Sequence, residues 1–227
     1  MSIDDKPGIR TIVTKFIRSR LLPRKLLSES EKFFKSGGNS LLFPGDLPPD
    51  SLCVDFGGYK GEWVLGCLDR QNLSNFWVYE PVPEYFEEIS EIFRATPIVT
   101  IHPYALSSES KTVEILLDGA ATTLFGTNET SDSFPVVRIR CEPYLLFENQ
   151  VGGRTLDWVK MNIEGSEYEL IRFFESLRIL QRVKTLVVQF HDIEGESLDS
   201  MHLLLNQTHV KKWGYKYVWE RWDLRET

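Results

Sequence analysis

The chain has 227 residues, 42% of them hydrophobic and 26% charged, proportions that suit one α/β domain with a large core and exclude a chain dominated by disorder. Its 33 acidic and 26 basic residues give a formal net charge of -7, the wrong sign for a general nucleic-acid binder, which needs a basic face to displace counterions from phosphates. Cys53, Cys67 and Cys141 form no C-x-x-C pair or zinc-like spacing, no apolar run approaches a membrane span, and no secretory cleavage pattern opens the chain, so a reduced, cytoplasmic protein is expected.

In chain order, Ile9 to Phe34 comes first, with Arg10, Lys15, Arg18, Arg20, Arg24 and Lys25 set among apolar residues at helical spacing, and Pro23 placed to end or kink the first helix. Two readings stay open. One is a helical lid with its cations in water, favoured because such surface helices are common. The other is a basic amphipathic helix making weak contact with an anionic membrane. The Gly, Pro and Ser-rich stretch from Ser36 to Ser51 reads as a linker. Residues 1–50 are thus assigned to an N-terminal extension and residues 51–227 to the main domain.

From Leu52 the pattern alternates. Short apolar runs predict strands at Leu52 to Phe56, Phe76 to Tyr79, Ile98 to Ile101, Trp158 to Ile163 and Thr185 to Phe190. Between them, helices are predicted at Glu62 to Arg70, Pro83 to Phe93, Ser166 to Leu180 and Leu198 to Val210. Continuous apolar strands separated by amphipathic helices mean a parallel sheet covered on both faces. Thr112 to Leu117 and Val136 to Arg140 break the rhythm as an inserted antiparallel hairpin, and Tyr215 to Trp222 reads as a last strand. The expected architecture is α/β, a mostly parallel doubly wound sheet with an antiparallel edge.

Ligands of such sheets sit outside the carboxyl ends of the strands. The first strand-to-helix turn reads Asp55, Phe56, Gly57, Gly58, Tyr59, Lys60, Gly61. A nicotinamide dinucleotide fold wants G-x-G-x-x-G, with glycine where this chain has Tyr59, and the Asp55 carboxylate suits a pyrophosphate badly. S-adenosylmethionine has no phosphate and carries a sulfonium and an ammonium, so an acidic rim favours it. Glu80 follows the second strand, about 20 residues past the loop, where an acidic side chain accepts hydrogen bonds from ribose hydroxyls. Loop, acid and order together point to a nucleoside cofactor, and the chemistry of the loop to S-adenosylmethionine.

Four blocks resemble the FkbM family of methyltransferases: VDFGGYKGEW (Val54 to Trp63), VYEPVPEYFEEI (Val78 to Ile89), HPYALSS (His102 to Ser108) and TLDWVKMNIEGSEYELI (Thr155 to Ile171), followed by VVQFHD (Val187 to Asp192). They are similar to that family's D-x-G-A-N-x-G loop, F-E-P strand end, A-L-S run, K-I-D-x-E-G-x-E block and E-I-H strand end. The resemblance implies a Rossmann-like class I methyltransferase that uses S-adenosylmethionine, held by Asp55, Gly57, Gly58, Tyr59, Gly61, Glu80, Pro81, Tyr104, Ala105, Leu106 and Asn162. It also implies an acceptor hydroxyl on a sugar, glycan or natural product. The chain departs from the family in having Gly58-Tyr59 for Ala-Asn and Asn162 for the Asp of K-I-D. These departures motivate a second reading, a degenerate member that binds cofactor or glycan without catalysis.

Methyl transfer requires the acceptor atom to be held near the methyl carbon and its proton to be removed. His191, Glu164 and Asn162 fall at the ends of the fourth and fifth predicted strands. His191 is the first choice as base because imidazole titrates near neutrality, with a backbone-bonded structural histidine equally open. Glu164 either orients it or takes the proton itself, Asn162 positions cofactor or acceptor, and Glu167 and Glu169 are read as caps of the helix near Ser166. Glu164, His191, Asp192 and Glu194 have the donor types magnesium accepts, but their spacing fixes no ligand geometry and no metal is assigned. Thr122 to Asp132 reads as a flap over the substrate or a plain hairpin loop.

Overall fold

A computed structural model describes residues 27–70, 74–118, 121–123 and 135–226. The predicted basic helix up to residue 26, and most of the Thr122 to Asp132 flap, lie outside them. What remains of the N-terminal helix is α1 (Glu29–Lys35), closed by a capping box between Ser28 and Glu31. Buried Phe33 packs it edge-on against Tyr215, with ring centroids 5.5 Å apart. The Ser36 to Ser51 stretch is packed. It holds the short helix α2 (Gly38–Leu41), Leu42, Phe43 and Leu47 rest on the core, and the Trp63 indole donates to the Leu42 carbonyl at 2.9 Å.

Seven strands form the main sheet, in the order β10-β11-β9-β8-β1-β2-β3. They are β1 (Leu52–Phe56), β2 (Asn75–Tyr79), β3 (Val99–His102), β8 (Trp158–Met161), β9 (Thr185–Val188), β10 (His209–Tyr215) and β11 (Trp219–Leu224). The run β3-β2-β1-β8-β9 is parallel, while β11 is antiparallel to β9 and β10 antiparallel to β11. The expected parallel sheet with an antiparallel edge is observed. The β1 strand is buried at every position. Leu52, Val54 and Phe56 point into one apolar cluster and Cys53 into another with Trp63, Val64 and Cys67, which is why its run is continuously apolar rather than alternating.

The crossover helices are α3 (Glu62–Asp69), α4 (Pro83–Ile92), α6 (Glu167–Ser176) and α7 (Leu198–Leu205); α5 (Tyr144–Val151) leads into β8. The chain winds one way from β1 to β2 and β3, and the other way through β8 and β9, so the switch point lies between the carboxyl ends of β1 and β8. The inserted hairpin is larger than expected. Strands β4 (Ala105–Ser107), β5 (Lys111–Asp118), β6 (Ala121–Thr123) and β7 (Val136–Pro143) make a second sheet in the order β4-β7-β5-β6. Its Ile115, Ile139 and Cys141 cluster with Val82, and Tyr85 packs against them.

Some predicted boundaries move. The helix expected to reach Val210 ends at Leu205, and His209 opens β10. The strand expected at Tyr215 to Trp222 is in fact the end of β10, a turn with Tyr217 at φ 56, and the start of β11. The fourth and fifth predicted strands stop at Met161 and Val188, short of Ile163 and Phe190. Among the described residues, no helix is long and apolar enough to cross a membrane.

Candidate active site

Each strand of the switch point ends in a turn that carries a site residue. After β1, Gly57 and Gly58 both donate their amides to the Tyr79 carbonyl, at 3.0 and 3.3 Å, which ties the loop to the end of β2. Tyr59 follows at φ 48, a left-handed conformation that costs a bulky residue on the order of 1 kcal/mol and that asparagine adopts more readily. The Gly58-Tyr59 departure from Ala-Asn thus falls where the backbone is strained. Its amide donates to Glu80 Oε2 at 2.7 Å, and its ring packs edge-on against Tyr85, with centroids 4.7 Å apart.

Glu80 is 4% exposed, and its second oxygen, Oε1, accepts the Val82 amide at 2.8 Å. Burial pushes its carboxyl up to about 7, against the pull of these two amide hydrogen bonds. Between its ordinary 4.5 and about 7, the folded protein holds a proton that the unfolded chain has released. Stability contributed by Glu80 is therefore lost as pH rises across that window.

Asp55 and Lys160 are register partners on β1 and β8. Lys160 Nζ donates to Asp55 Oδ1 at 2.8 Å and to the Gly57 carbonyl at 2.9 Å. Beyond β8, the Asn162 amide donates to the Phe56 carbonyl at 3.0 Å, while its side-chain Oδ1 is buried with no hydrogen-bond partner among the described residues. Glu164 follows at φ 54 and Gly165 at φ 103. Glu167, fully buried, accepts the Ile163 amide on Oε1 and the Gly165 amide on Oε2, both at 2.8 Å. His191, past β9, sits between two carboxylates, with Nδ1 3.0 Å from Glu167 and Nε2 3.3 Å from Glu164.

Burial alone pushes the His191 imidazole down, but the hydrogen bond and charge of Glu167, joined by the charge of Glu164, carry it above the ordinary histidine value. A raised folded value means that the stabilisation is complete below about pH 6.5 and is lost as pH rises through that folded value. Thermal unfolding of wild type and His191→Gln should accordingly differ most at acid pH and converge at alkaline pH.

These ends open on a cavity of about 310 Å³, with the inner face of the second sheet as its far wall. Of the residues predicted to hold a cofactor, Gly57, Tyr59, Glu80, Pro81, Ala105, Leu106 and Asn162 line it; Asp55, Gly58, Gly61 and Tyr104 do not. Asp55 instead faces Lys160. Tyr104 binds Gln150 and His102 beside the cavity. Gly58 has Val78 2.3 Å from where a Cβ would stand. Glu164 is on the cavity wall and His191 is not.

Three contributors escaped the sequence reading: Glu167, read as a helix cap; Lys160, noticed only as part of a block; and the apolar wall of Val113, Ile115, Ile139 and Cys141. The odd-numbered apolar alternation along Val113, Ile115 and Leu117 was the available signal for that wall. Among the described residues no three His, Cys, Asp or Glu side chains are grouped to hold a metal ion.

A comparison with curated proteins found no match. Among solved structures the chain is similar to an rRNA methylase from Streptococcus thermophilus, with 10% identity over 79% of this chain and 90% of that one and a TM-score of 0.46. It is also similar to human methyltransferase 10 domain containing protein, with 10% identity over 96% of each chain and a TM-score of 0.45. A third is the N-terminal domain of human METTL16 in complex with SAH, with 9% identity over 96% of this chain and 82% of that one and a TM-score of 0.42. The assignment rests on none of these distant likenesses but on the match to the methyltransferase FkbM domain, which spans residues 55–217. The chain belongs to the FkbM family of methyltransferases, built on a Rossmann-like class I fold, with S-adenosylmethionine as its cofactor.

Proposed function

We propose that this chain transfers a methyl group from S-adenosylmethionine to a hydroxyl oxygen of a sugar, glycan or natural product. The observation that carries the reading is one cavity bearing Glu80 from the end of β2, Asn162 from the end of β8 and Glu164 from the next turn. The residues present suit the cofactor. Among the described residues Asn162 Oδ1 is an acceptor with no donor, Glu80 is a buried carboxyl near half-protonation at neutral pH, and the cofactor's ammonium and ribose hydroxyls are donors. Pro81, Ala105 and Leu106 offer an apolar slot for its adenine. When bound, the cofactor supplies a methyl group on a sulfonium that leaves as a neutral thioether.

The chain's own residues then have to orient the acceptor and receive its proton, and the candidates for this are Glu164, His191 and Asn162. The second sheet adds the apolar wall of Val113, Ile115, Ile139 and Cys141, and exclusion of water by it would strengthen the electrostatic interactions inside. The net charge of -7, together with Glu164 and Glu169 on the cavity wall, supports a neutral hydroxyl acceptor over a nucleic acid. We place the catalytic domain from residue 51 onward and residues 1–50 as an extension, supported by the start of β1 at Leu52 and of the family match at residue 55.

Calorimetry with S-adenosylhomocysteine is the direct test. Binding tighter than about 1 mM is expected; its absence, with a nucleotide binding instead, would sink the reading. Ribose hydroxyls donating to Glu80 favour the ionised carboxyl. Affinity should therefore rise up to about tenfold from pH 6 to pH 8, with proton release below pH 7. Glu80→Gln should flatten that dependence. Binding without turnover of any hydroxyl in a broad acceptor panel would favour the non-catalytic reading, which rests on Asn162 and strained Tyr59.

A further inference from the structure

We infer that Glu164 is the group that meets the acceptor hydroxyl and takes its proton, and that His191 and Glu167 are positioning residues that hold it there. The inference rests on the methyl-transfer reading above and chooses between the roles that the sequence leaves open for Glu164 and His191. Three observations carry it.

First, position separates the two candidate bases. Glu164 lines the cavity together with Asn162 and Ser166, whereas His191 does not reach the wall. A base must come within hydrogen-bond reach of the proton it removes, directly or through one water. Second, His191 is flanked by two carboxylates: Nδ1 is hydrogen-bonded to Glu167 at 3.0 Å and Nε2 lies 3.3 Å from Glu164. Two flanking carboxylates favour the imidazolium form, which has no lone pair to accept a proton. Its charge instead faces the Glu164 carboxylate.

Third, Glu167 is built as a fixed support. It has no exposed surface, its two oxygens take the amides that flank Glu164, and Oε1 also meets the imidazole. Glu164 stands at φ 54, a conformation non-glycine residues adopt at a cost unless their surroundings impose it. Glu167 imposes it by gripping the backbone on either side, at Ile163 and Gly165. The Tyr168 hydroxyl donates to the His191 carbonyl at 2.9 Å and fixes the other partner.

The remaining charged groups do not change this assignment. Glu164 approaches His191 from the turn after β8, and Glu167 and Tyr168 approach from α6. On its own loop, Asp192 acts on Tyr217 of the β10–β11 turn, adding to burial in pushing that hydroxyl's titration up. Among the described residues no cation is one of the groups that set the His191 charge, and both nearest partners favour its protonated form.

The step balances simply. The acceptor O–H bond breaks and its proton passes to a Glu164 carboxylate oxygen. The electron pair left on oxygen forms the new bond to the methyl carbon, and the pair of the broken carbon–sulfur bond stays on sulfur.

The test follows the nitrogen-15 resonances of His191 in the full chain with S-adenosylhomocysteine bound, from pH 5 to pH 10. Both nitrogens should be protonated at pH 7. The titration midpoint should fall toward about 6.5 in Glu167→Gln and, by a smaller amount, in Glu164→Gln. A bare Nε2 at pH 7 in the wild type would overturn the proposal and return the base role to His191. So would a midpoint unmoved in both variants. Methyl transfer to an accepted alcohol should fall at least about 100-fold in Glu164→Gln, with S-adenosylhomocysteine affinity within about threefold of wild type. Activity should persist at pH values where His191 is charged; activity that disappears as His191 gains its proton counts against the proposal. Calorimetry keeps the two failures apart. A protein that does not bind S-adenosylhomocysteine refutes the methyltransferase reading, whereas one that binds it with a neutral His191 refutes only the roles assigned here.

Discussion

Gly57→Ala should cost the protein its cofactor site. A Cβ on Gly57 would stand 2.0 Å from the Asn162 carbonyl oxygen, a distance no relaxed structure tolerates, and the obstacle is backbone rather than a side chain that can swing away. Gly57 also sits at φ 86, where an L-residue pays on the order of 1–2 kcal/mol. Either the β1 loop or the β8 turn has to move. Both carry residues of the cavity wall, and the loop amides of Gly57 and Gly58 are what tie it to β2.

We expect S-adenosylhomocysteine affinity to drop at least about 100-fold, near 3 kcal/mol. A stability loss of the same size would lower the unfolding midpoint by roughly 6–12 °C. Two further glycines separate the causes. Gly153→Ala has φ 80 but open space around the new atom, so it reports the backbone conformation alone. Gly45→Ala has no left-handed φ to strain it, and its Cβ would meet no described atom within 4 Å, so it should leave both measurements unchanged. If Gly57→Ala behaves like Gly153→Ala, the close approach of the two strand ends is not what shapes the site.

The parts of this molecule legible in sequence are those whose cause is local. The β1, β8 and β9 strands are buried on both faces and β2 on one, with the other half-buried, so each announces itself as an apolar run. The glycine loop and Glu80 sit at fixed offsets from such runs. Glu167 shows why the rest was hidden. Within its own helix it occupies the first turn, where a carboxylate is explained by the exposed amides. Its real partner, His191, lies 24 residues further on, and only the parallel pairing of β8 and β9 brings their ends together.

The β10–β11 hairpin failed for a different reason. Its turn, Lys216, Tyr217 and Val218, has none of the usual glycine, proline or asparagine, and aromatic residues continue on both sides of it. The positive φ is taken by Tyr217, so two strands read as one. The overlong last helix has the same origin. Apolar Leu198, Met201, Leu204 and Leu205 recur at helical spacing, although the chain leaves the helix at Asn206. Glu164 and Asn162 were found as candidates, but the division of roles between Glu164 and His191 depends on which of them reaches the cavity, and that is set by the turn geometry after β8.

Lys160→Met should be among the most destabilising single changes in the domain, and its pH dependence identifies why. Lys160 and Asp55 meet between two buried strands, with side chains 10% and 1% exposed. Burial pushes the Asp55 carboxyl up, and the charge and hydrogen bond of Lys160 draw it back only in part. Removing the ammonium leaves a carboxylate buried without its counter-charge, at a cost of about 3–5 kcal/mol near neutral pH.

The sign of the pH effect follows from protonation. Without Lys160 the folded value of Asp55 rises further, so the deficit of the variant grows as pH increases above the ordinary aspartate range. It shrinks toward acid pH, where Asp55 is neutral in folded and unfolded chains alike. The double variant Asp55→Asn, Lys160→Met removes the stranded charge and should recover most of the loss, giving a coupling energy of about 2 kcal/mol or more in a double-mutant cycle of urea unfolding. Additive effects would mean that the pair is not a unit.

Cofactor binding should not recover with it. Lys160 Nζ also holds the Gly57 carbonyl, so the double variant keeps its fold while the loop has lost its anchor. S-adenosylhomocysteine affinity should remain about tenfold or more below wild type, the worth of one charge-assisted hydrogen bond. The same ammonium thus fastens β8 to β1 and sets the first turn of the cofactor site, two duties that the double variant separates.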